Sequence, residues 1–104
     1  MWLIIDDKRD LGCDVIARTP EAGKELLYRL DWECLCLDHD LGAKLDGYDL
    51  IKWAIAVERV PPKVQIVSSN PPGRKNIAAA LEGIGYVQSV QGQDGEWIKP
   101  LEEE

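Results

Sequence analysis

The sequence predicts an α/β domain in which helices pack against a mainly parallel β-sheet. Short apolar runs alternate along the chain with segments whose apolar residues recur at helical spacing. Two of the apolar runs end in clustered aspartates, and ligands of parallel sheets bind outside the carboxyl ends of the strands. With 104 residues, 45% of them apolar, the chain has the size and composition of one domain with one core.

The predicted elements alternate between strand and helix. Apolar runs predict strands at residues 2–5, 14–17, 34–37 and 64–67. Apolar residues on one face predict helices at residues 20–30, 47–58 and from 71 or 72 to 85. The remainder, 87–101, is one more strand, or two strands joined through Gly92-Gln93-Asp94-Gly95. The single domain therefore spans 1–101, and the glutamates at 102–104 form a solvated acidic tail.

Local signals support the helix boundaries. Thr19 is a suitable N-cap with Pro20 at the first helical position, and Asn70 precedes two prolines in the same way. Pro61 and the proline after it stop the second helix, because proline cannot continue an α-helix. Gly85 is a typical residue for the end of the third helix.

Composition excludes several classes of protein. The net charge is −7 with scattered lysines and arginines, which argues against general nucleic-acid binding. No apolar run is long enough for a membrane helix, and the acidic start excludes a signal peptide. Three cysteines, Cys13, Cys34 and Cys36, are expected to be free thiols in a reducing compartment. We expect a cytoplasmic protein.

The two aspartate clusters predict a divalent-metal site. Asp6 and Asp7 follow the first strand, and Asp38 and Asp40 follow the third. Carboxylates brought close together resist ionisation unless a cation lies between them, and hard oxygen ligands suit Mg²⁺ (or Mn²⁺). The alternative is that these residues only cap turns and helices. Asp38 is also a possible nucleophile toward phosphorus.

Further polar residues lie at the same predicted edge of the sheet. His39 is either a general acid or base, or a packed histidine bonded to a carboxylate. Ser68, Ser69 and Asn70 precede a helix N-terminus, which either binds a phosphate or is simply capped by Asn70. Arg74 in the first turn either faces the same anion or is solvated.

Five motifs resemble the receiver domain of response regulators, and more closely its cyclic-phosphate processing variant. They are I-I-D-D-K-R at 4–9, V-I-A-R-T-P-E-A at 15–22, L-D-H-D-L-G at 37–42, G-Y-D at 47–49 and V-S-S-N-P-P-G-R at 67–74. The resemblance implies a flavodoxin/receiver-like three-layer sandwich of about five strands. The first helix is shortened or missing, because about seven residues separate Asp7 from Val15.

The resemblance also implies roles for individual residues. Asp6 and Asp7 would bind Mg²⁺, Asp38 would be the phosphoacceptor, and the backbone of Asp40 would complete the metal site. Ser68, or Ser69, would contact the phosphoryl group. Receivers also carry a lysine and a proline after the last strand, which matches Lys99 and the proline that follows it. Lys99 either brings its charge to the pocket or merely ends a strand.

Three functions follow from the residues and the resemblance. The first is an enzyme or sensor acting on a small (cyclic) phosphate ester, with Asp38 as nucleophile or base and His39 as acid. The second is a stand-alone signalling receiver phosphorylated on Asp38. The third is a non-catalytic module or inhibitor that binds a protein partner. The sequence leaves the oligomeric state open.

Overall fold

Six strands and three helices make up the described part of the chain. The computed structural model describes residues 1–89 and 95–100. The elements are β1 (Trp2–Ile5), β2 (Val15–Ala17), α1 (Pro20–Arg29), β3 (Cys34–Leu37), α2 (Gly47–Ala56), β4 (Lys63–Ile66), α3 (Pro71–Gly83), β5 (Val87–Gln88) and β6 (Glu96–Ile98). The α/β fold with a mainly parallel sheet is therefore confirmed, with six strands where about five were expected.

The strands form one sheet in the order β2-β1-β3-β4-β6-β5. The first four strands are parallel, and their order is the flavodoxin-like order. The sheet then reverses, because β6 runs antiparallel to β4, and β5 runs antiparallel to β6. The final region thus forms two strands, the second of the two alternatives. Of the four residues predicted to join them, Gly92, Gln93 and Asp94 lie outside the described part, and Gly95 lies within it.

The core lies between the helices and one face of the sheet. Leu3 and Ile5 of β1 are fully buried on this face, and successive strand residues point to opposite faces. The other strand residues of this face and the inward residues of the helices belong to the same cluster: Leu35, Leu37, Val64, Ile66, Leu27, Leu50, Ile51, Ala54, Ile77 and Leu81. All three helices therefore pack on the same side of the sheet.

The opposite face of the sheet has no helix in the part of the chain that the structure describes. Ile4, Cys34 and Cys36 form a small separate cluster there, covered by Trp2, Cys13 and Val67. The expected three-layer sandwich is thus corrected to two layers over these residues. The segment between β1 and β2 is too short for a helix and instead folds over this face as a loop, with Leu11 and Gly12 at positive φ.

The predicted helix starts are confirmed, while α2 and α3 each end two residues before the predicted position, α3 at Gly83. Thr19 and Asn70 are the N-caps of α1 and α3, and each side chain accepts a hydrogen bond from a first-turn backbone amide. Helix α2 ends at Ala56, two residues before the predicted end. Glu58 there adopts a φ of 58°, and the amide of Arg59 donates to the carbonyl of Ala54. The chain therefore turns before the prolines.

Two further predictions concern the chain as a whole. No helix among residues 1–89 and 95–100 is long and apolar enough to cross a membrane. All three cysteines are free, with Cys34 and Cys36 buried and Cys13 half-buried. The predicted acidic tail at 102–104 lies outside the described residues.

Candidate functional site

The carboxyl ends of β1 and β3 bring three carboxylates together. Strands β1 and β3 are neighbours with Ile5 opposite Leu37, so the residues that follow, Asp6 and Asp38, emerge side by side. The amide of Asp38 donates to the carbonyl of Ile5 at 3.1 Å. One carboxylate oxygen from each of Asp6, Asp7 and Asp38 lies within 4.8 Å of the others. The predicted convergence of these three residues is present in the structure.

Asp6 is buried and only half satisfied. Its Oδ1 accepts hydrogen bonds from the backbone amides of Lys8 and Arg9, at 2.9 and 3.1 Å. Its Oδ2 is buried and has no hydrogen-bond partner among the described residues. Nη1 of Arg9 lies 3.6 Å from this oxygen, an ion-pair distance rather than a hydrogen bond. A buried carboxylate oxygen without a partner is costly, and it fits the coordination of a cation.

Asp38 is buried beside Asp6, and its ionised form is disfavoured. Burial raises the pKa of Asp38, and the nearby Asp6 charge raises it further. The Asp40 amide, 3.3 Å from Oδ1 of Asp38, the Ser68 hydroxyl and the Arg9 charge all oppose this rise in the pKa. A divalent cation between the carboxylates would remove the conflict, because it favours the charged form of both.

A small cavity opens over these residues. Its volume is about 180 Å³. The residues that line it include both acidic and basic ones: Asp6, Asp7, Lys8, Arg9, Asp38, Asp40 and Ser69. Ligands of drug size occupy roughly 300 Å³ or more. The cavity therefore suits a hydrated cation with a phosphoryl group, while the remainder of a larger ligand would lie outside it.

Comparison with known protein families decides the family. The family model described as the cyclic-phosphate processing receiver domain matches residues 1–83. The chain belongs to this family. A search of curated proteins gives no match. The matched span of this receiver domain contains the three carboxylates, the β4–α3 turn and all three helices, but neither β5 nor β6.

The side chain of Asp40 in this receiver domain points away from the three carboxylates. Its Oδ1 lies 3.0 Å from Nδ1 of His39 and 3.4 Å from Nδ2, the side-chain nitrogen, of Asn70. The predicted metal ligand therefore borders the cavity but is not part of the carboxylate group. Its backbone amide donates to Asp38, which orients that carboxylate.

His39 is held between two carboxylates and a helix. Nδ1 lies 3.0 Å from Asp40, and Nε2 lies 3.3 Å from Oδ2 of Asp46. Its side chain is 16% exposed and does not line the acidic cavity. This is the geometry of the packed histidine, one of the two alternatives. The acid–base role predicted for His39 gains no support from these contacts.

In the turn between β4 and α3, Ser68 and Asn70 make hydrogen bonds within the fold, and Ser69 faces the cavity. The Ser68 hydroxyl is buried, accepts a hydrogen bond from the amide of Asn70 at 3.1 Å and interacts with Asp38. Ser69 lines the cavity. Asn70 caps α3 through a 3.1 Å hydrogen bond from the amide of Gly73. Ser69 is thus the residue of this turn on the cavity wall, whereas Ser68 lies behind it against Asp38.

The two cations proposed from the sequence lie elsewhere. Nη1 of Arg74 donates to the carbonyl of Ser68 at 3.0 Å, and this side chain lines a different cavity with Gly95. The amide of Lys99 donates to the carbonyl of Pro62, at the start of β4. Because β6 is antiparallel to β4, Lys99 lies at the opposite end of the sheet from the acidic cavity.

Sequence reasoning missed Arg9, Asp46 and Gly73 as parts of the site. Arg9 was included in a matching motif but given no role, yet it lines the cavity and its Nη1 lies 3.6 Å from Asp6. Asp46 caps α2 with a capping box formed with Asp49, a signal visible in the D-x-x-D spacing. Gly73 lies against His39, and no local pattern in the sequence predicts that contact.

Proposed function

We propose that this receiver domain binds Mg²⁺ (or Mn²⁺) at Asp6, Asp7 and Asp38 and, beside the cation, the phosphoryl group of a small phosphate ester. A cyclic phosphate is the class of ester that the family description suggests. The proposal includes both processing and sensing of the ester, since the geometry of the pocket serves either function. A bound divalent cation would polarise a phosphoryl oxygen and offset its negative charge.

One observation carries the metal site: Asp6, whose Oδ2 is buried without a hydrogen-bond partner among the described residues, belongs to a group of three carboxylates with oxygens within 4.8 Å of one another. The three described residues of this group offer only oxygen donors, which suits Mg²⁺ better than a softer metal. An acidic cluster alone is common on protein surfaces. A buried, unsatisfied oxygen within such a cluster is uncommon, because buried polar atoms are nearly always paired.

The residues of the chain have separate tasks in this proposal. The Lys8 and Arg9 amides fix the Asp6 carboxylate through Oδ1, and Oδ2 has no hydrogen bond among the described residues. The Asp40 amide and the Ser68 hydroxyl orient Asp38. Ser69 on the cavity wall can donate a hydrogen bond to a phosphoryl oxygen. The cavity holds only the charged head of the ester, so the organic part contacts the surface around it.

The test is a titration of the protein with Mg²⁺ or Mn²⁺ by calorimetry and amide NMR, on the wild type and on Asp38→Asn. We expect saturable binding with shifts at Asp6, Asp7 and Ser68, and loss of binding in the variant. Phosphate esters, cyclic nucleotides first, are then added at saturating metal, and binding and turnover are measured. Absence of metal binding at millimolar concentration would contradict the proposal and favour the alternative of a protein-interaction module.

A stand-alone phosphoacceptor receiver is the second candidate. It is favoured by the position of Asp38, which lies at the end of β3 with the Ser68 hydroxyl beside its carboxylate. In that case Asp38 attacks the phosphorus of a phosphodonor such as acetyl phosphate, an acyl phosphate forms and acetate leaves. Treatment with acetyl phosphate and Mg²⁺ would add the mass of one phosphoryl group to the wild type and none to Asp38→Asn.

A further inference from the structure

The positive charge of the acidic cavity comes from the loop after β1. Lys8 and Arg9 line the cavity, whereas Lys99 lies at the other end of the sheet. Arg74 donates to the carbonyl of Ser68 and lines a separate cavity. The backbone amides of both residues donate to Asp6, but among the described residues only Arg9 of the two brings its side-chain charge within ion-pair distance of the carboxylates.

Arg9 joins three strands of the sheet. Its amide donates to Asp6 at the end of β1, and its Nη1 donates to the carbonyl of Val67, just after β4. Strand β3, which ends just before Asp38, lies between β1 and β4. The Arg9 charge lowers the pKa of Asp38, although burial raises it by more. Arg18 fixes the loop, since its Nη1 donates to the carbonyl of Arg9 at 2.8 Å. The backbone of Arg9 is therefore held in place, and its guanidinium extends from there to the carboxylates.

The guanidinium stands on the same side of Asp6 as the predicted cation. Nη1 of Arg9 lies 3.6 Å from Oδ2, the oxygen that has no hydrogen bond. Cations that share one carboxylate oxygen repel each other, so a divalent ion bound there weakens the contact of Arg9 with Asp6. The side chain of Arg9 is 41% exposed, so packing leaves room for the guanidinium to move away from Asp6.

Arg9 also has hydrogen-bond donors that have no partner among the described residues. Guanidinium carries five N–H groups in a planar fork that matches two phosphate oxygens. In the described residues, Nη1 is the only nitrogen of this side chain with a partner. Nε and Nη2 therefore remain available to an anion at the cavity.

We propose that Arg9 exchanges partners: it neutralises Asp6 in the metal-free protein, and it binds phosphate oxygens once a divalent cation has taken its place. This inference rests on the proposed metal and phosphate site. It assigns to Arg9 the phosphate-binding charge that the position of Lys99 cannot supply. It also requires that removal of Arg9 acts in opposite directions on the two ligands.

The experiment uses the full chain, with Mg²⁺ and then inorganic phosphate at saturating Mg²⁺ as probes, both followed by amide NMR titration. In Arg9→Met we expect the affinity for Mg²⁺ alone to rise several-fold, because a competing charge is gone. The affinity for phosphate should fall about tenfold or more, the usual effect of losing a charge-assisted pair of hydrogen bonds. Lys44→Gln, at an exposed loop position, is the control for the loss of one charge and should shift both affinities by less than about twofold.

Arg9→Lys keeps the charge but loses the planar hydrogen-bond geometry of the guanidinium. It also tests the proposal if Arg9→Met fails to fold. It should bind Mg²⁺ as the wild type does, and it should bind phosphate more weakly because the fork is lost. A parallel fall of both affinities in Arg9→Met, or no change in either, would overturn the exchange, since a purely structural residue would behave in that way. Failure of the wild type to bind Mg²⁺ would instead contradict the proposed site itself.

Discussion

The imidazole ring of His39 lies directly against the α-carbon of Gly73. A β-carbon on Gly73 would come within 2.3 Å of Cγ of His39, far inside van der Waals contact. The ring also reaches Asp40 and Asp46 through its two nitrogens. His39 thus connects the end of β3 with the first turn of α3 and the N-cap of α2. Only glycine at position 73 permits this close packing.

Gly73→Ala should therefore destabilise the protein by about 1–3 kcal/mol, the usual cost of overpacking. Gly83→Ala, in the last turn of the same helix, is the matched control, because a β-carbon there meets nothing within 4 Å. We expect this variant to be neutral or more stable by up to about 1 kcal/mol, since alanine favours helix. Urea denaturation measures both changes in the free energy of unfolding.

A double variant tests the cause. In a His39→Ala background the clash is absent, so Gly73→Ala should cost far less than it does in the wild type. An equal cost in both backgrounds would show that the effect arises from the backbone of Gly73 rather than from the ring. The two single variants would then need a different explanation.

The charge of Asp38 should destabilise the metal-free protein. The pKa of Asp38 is raised in the fold, so the unfolded state loses this proton at lower pH than the folded state does. The contribution of Asp38 to stability therefore falls as the pH rises from the ordinary value through the raised one, and it stays low above that. At pH 7, without metal, Asp38→Asn should melt a few degrees higher than the wild type.

Addition of Mg²⁺ should reverse this order. The wild type should gain stability with metal concentration, because the ion binds the folded state only, and the variant should not. Asp31→Asn, an exposed change of the same charge, should leave the response to Mg²⁺ intact. Thermal melts with a chelator and with excess Mg²⁺ give all six values. Equal responses to Mg²⁺ in wild type and Asp38→Asn would contradict the role of Asp38 in the site.

The thiol of Cys13 should react slowly although it is half-buried rather than buried. Burial raises the pKa of Cys13 to about 12, and Cys36, with its sulfur 3.8 Å away, adds to the rise. At pH 8 the thiolate, which is the reactive form, should be roughly a hundredfold or more scarcer than in a free cysteine. Alkylation by iodoacetamide, located by peptide mass, should be slow in the native protein and fast in urea.

The rate should also climb steadily as the pH is raised from 8 to 10. A raised pKa keeps the thiolate fraction proportional to hydroxide over this whole range, whereas an ordinary thiol levels off near pH 9. A native rate that levels off there would contradict the raised pKa. Cys13→Ser identifies the signal, because Cys34 and Cys36 are buried.

Lys99→Gln should leave Mg²⁺ and phosphate binding unchanged. Lys99 pairs with Pro62 before β4, and the cavity lies beyond the other end of that strand. Six residues of extended chain separate Pro62 from Ser68, roughly 20 Å, about twice the screening length in physiological salt. Affinities within about twofold of the wild type, in the same NMR titrations, are expected. A large loss of phosphate affinity would show that Lys99 does reach the ligand.

Local patterns in the sequence were enough to predict the elements and one edge of the site. Thr19 and Asn70 marked helix starts because capping is decided within four residues. Asp6 and Asp38 were expected to meet because adjacent parallel strands end at the same edge, and alternation of strand and helix fixes that direction.

Only the tertiary structure decided how distant segments meet. The reversal of β6 moved Lys99 away from the cavity, and the sequence of a three-residue strand, Glu96–Ile98, does not indicate the direction in which it runs. The position of Arg9 over Asp6, and the packing of His39 on Gly73, depend on side chains brought together by the sheet and by helix α3. Strand and helix periodicity is a local property of the chain, whereas the partner of a buried charge is chosen by packing across the whole fold.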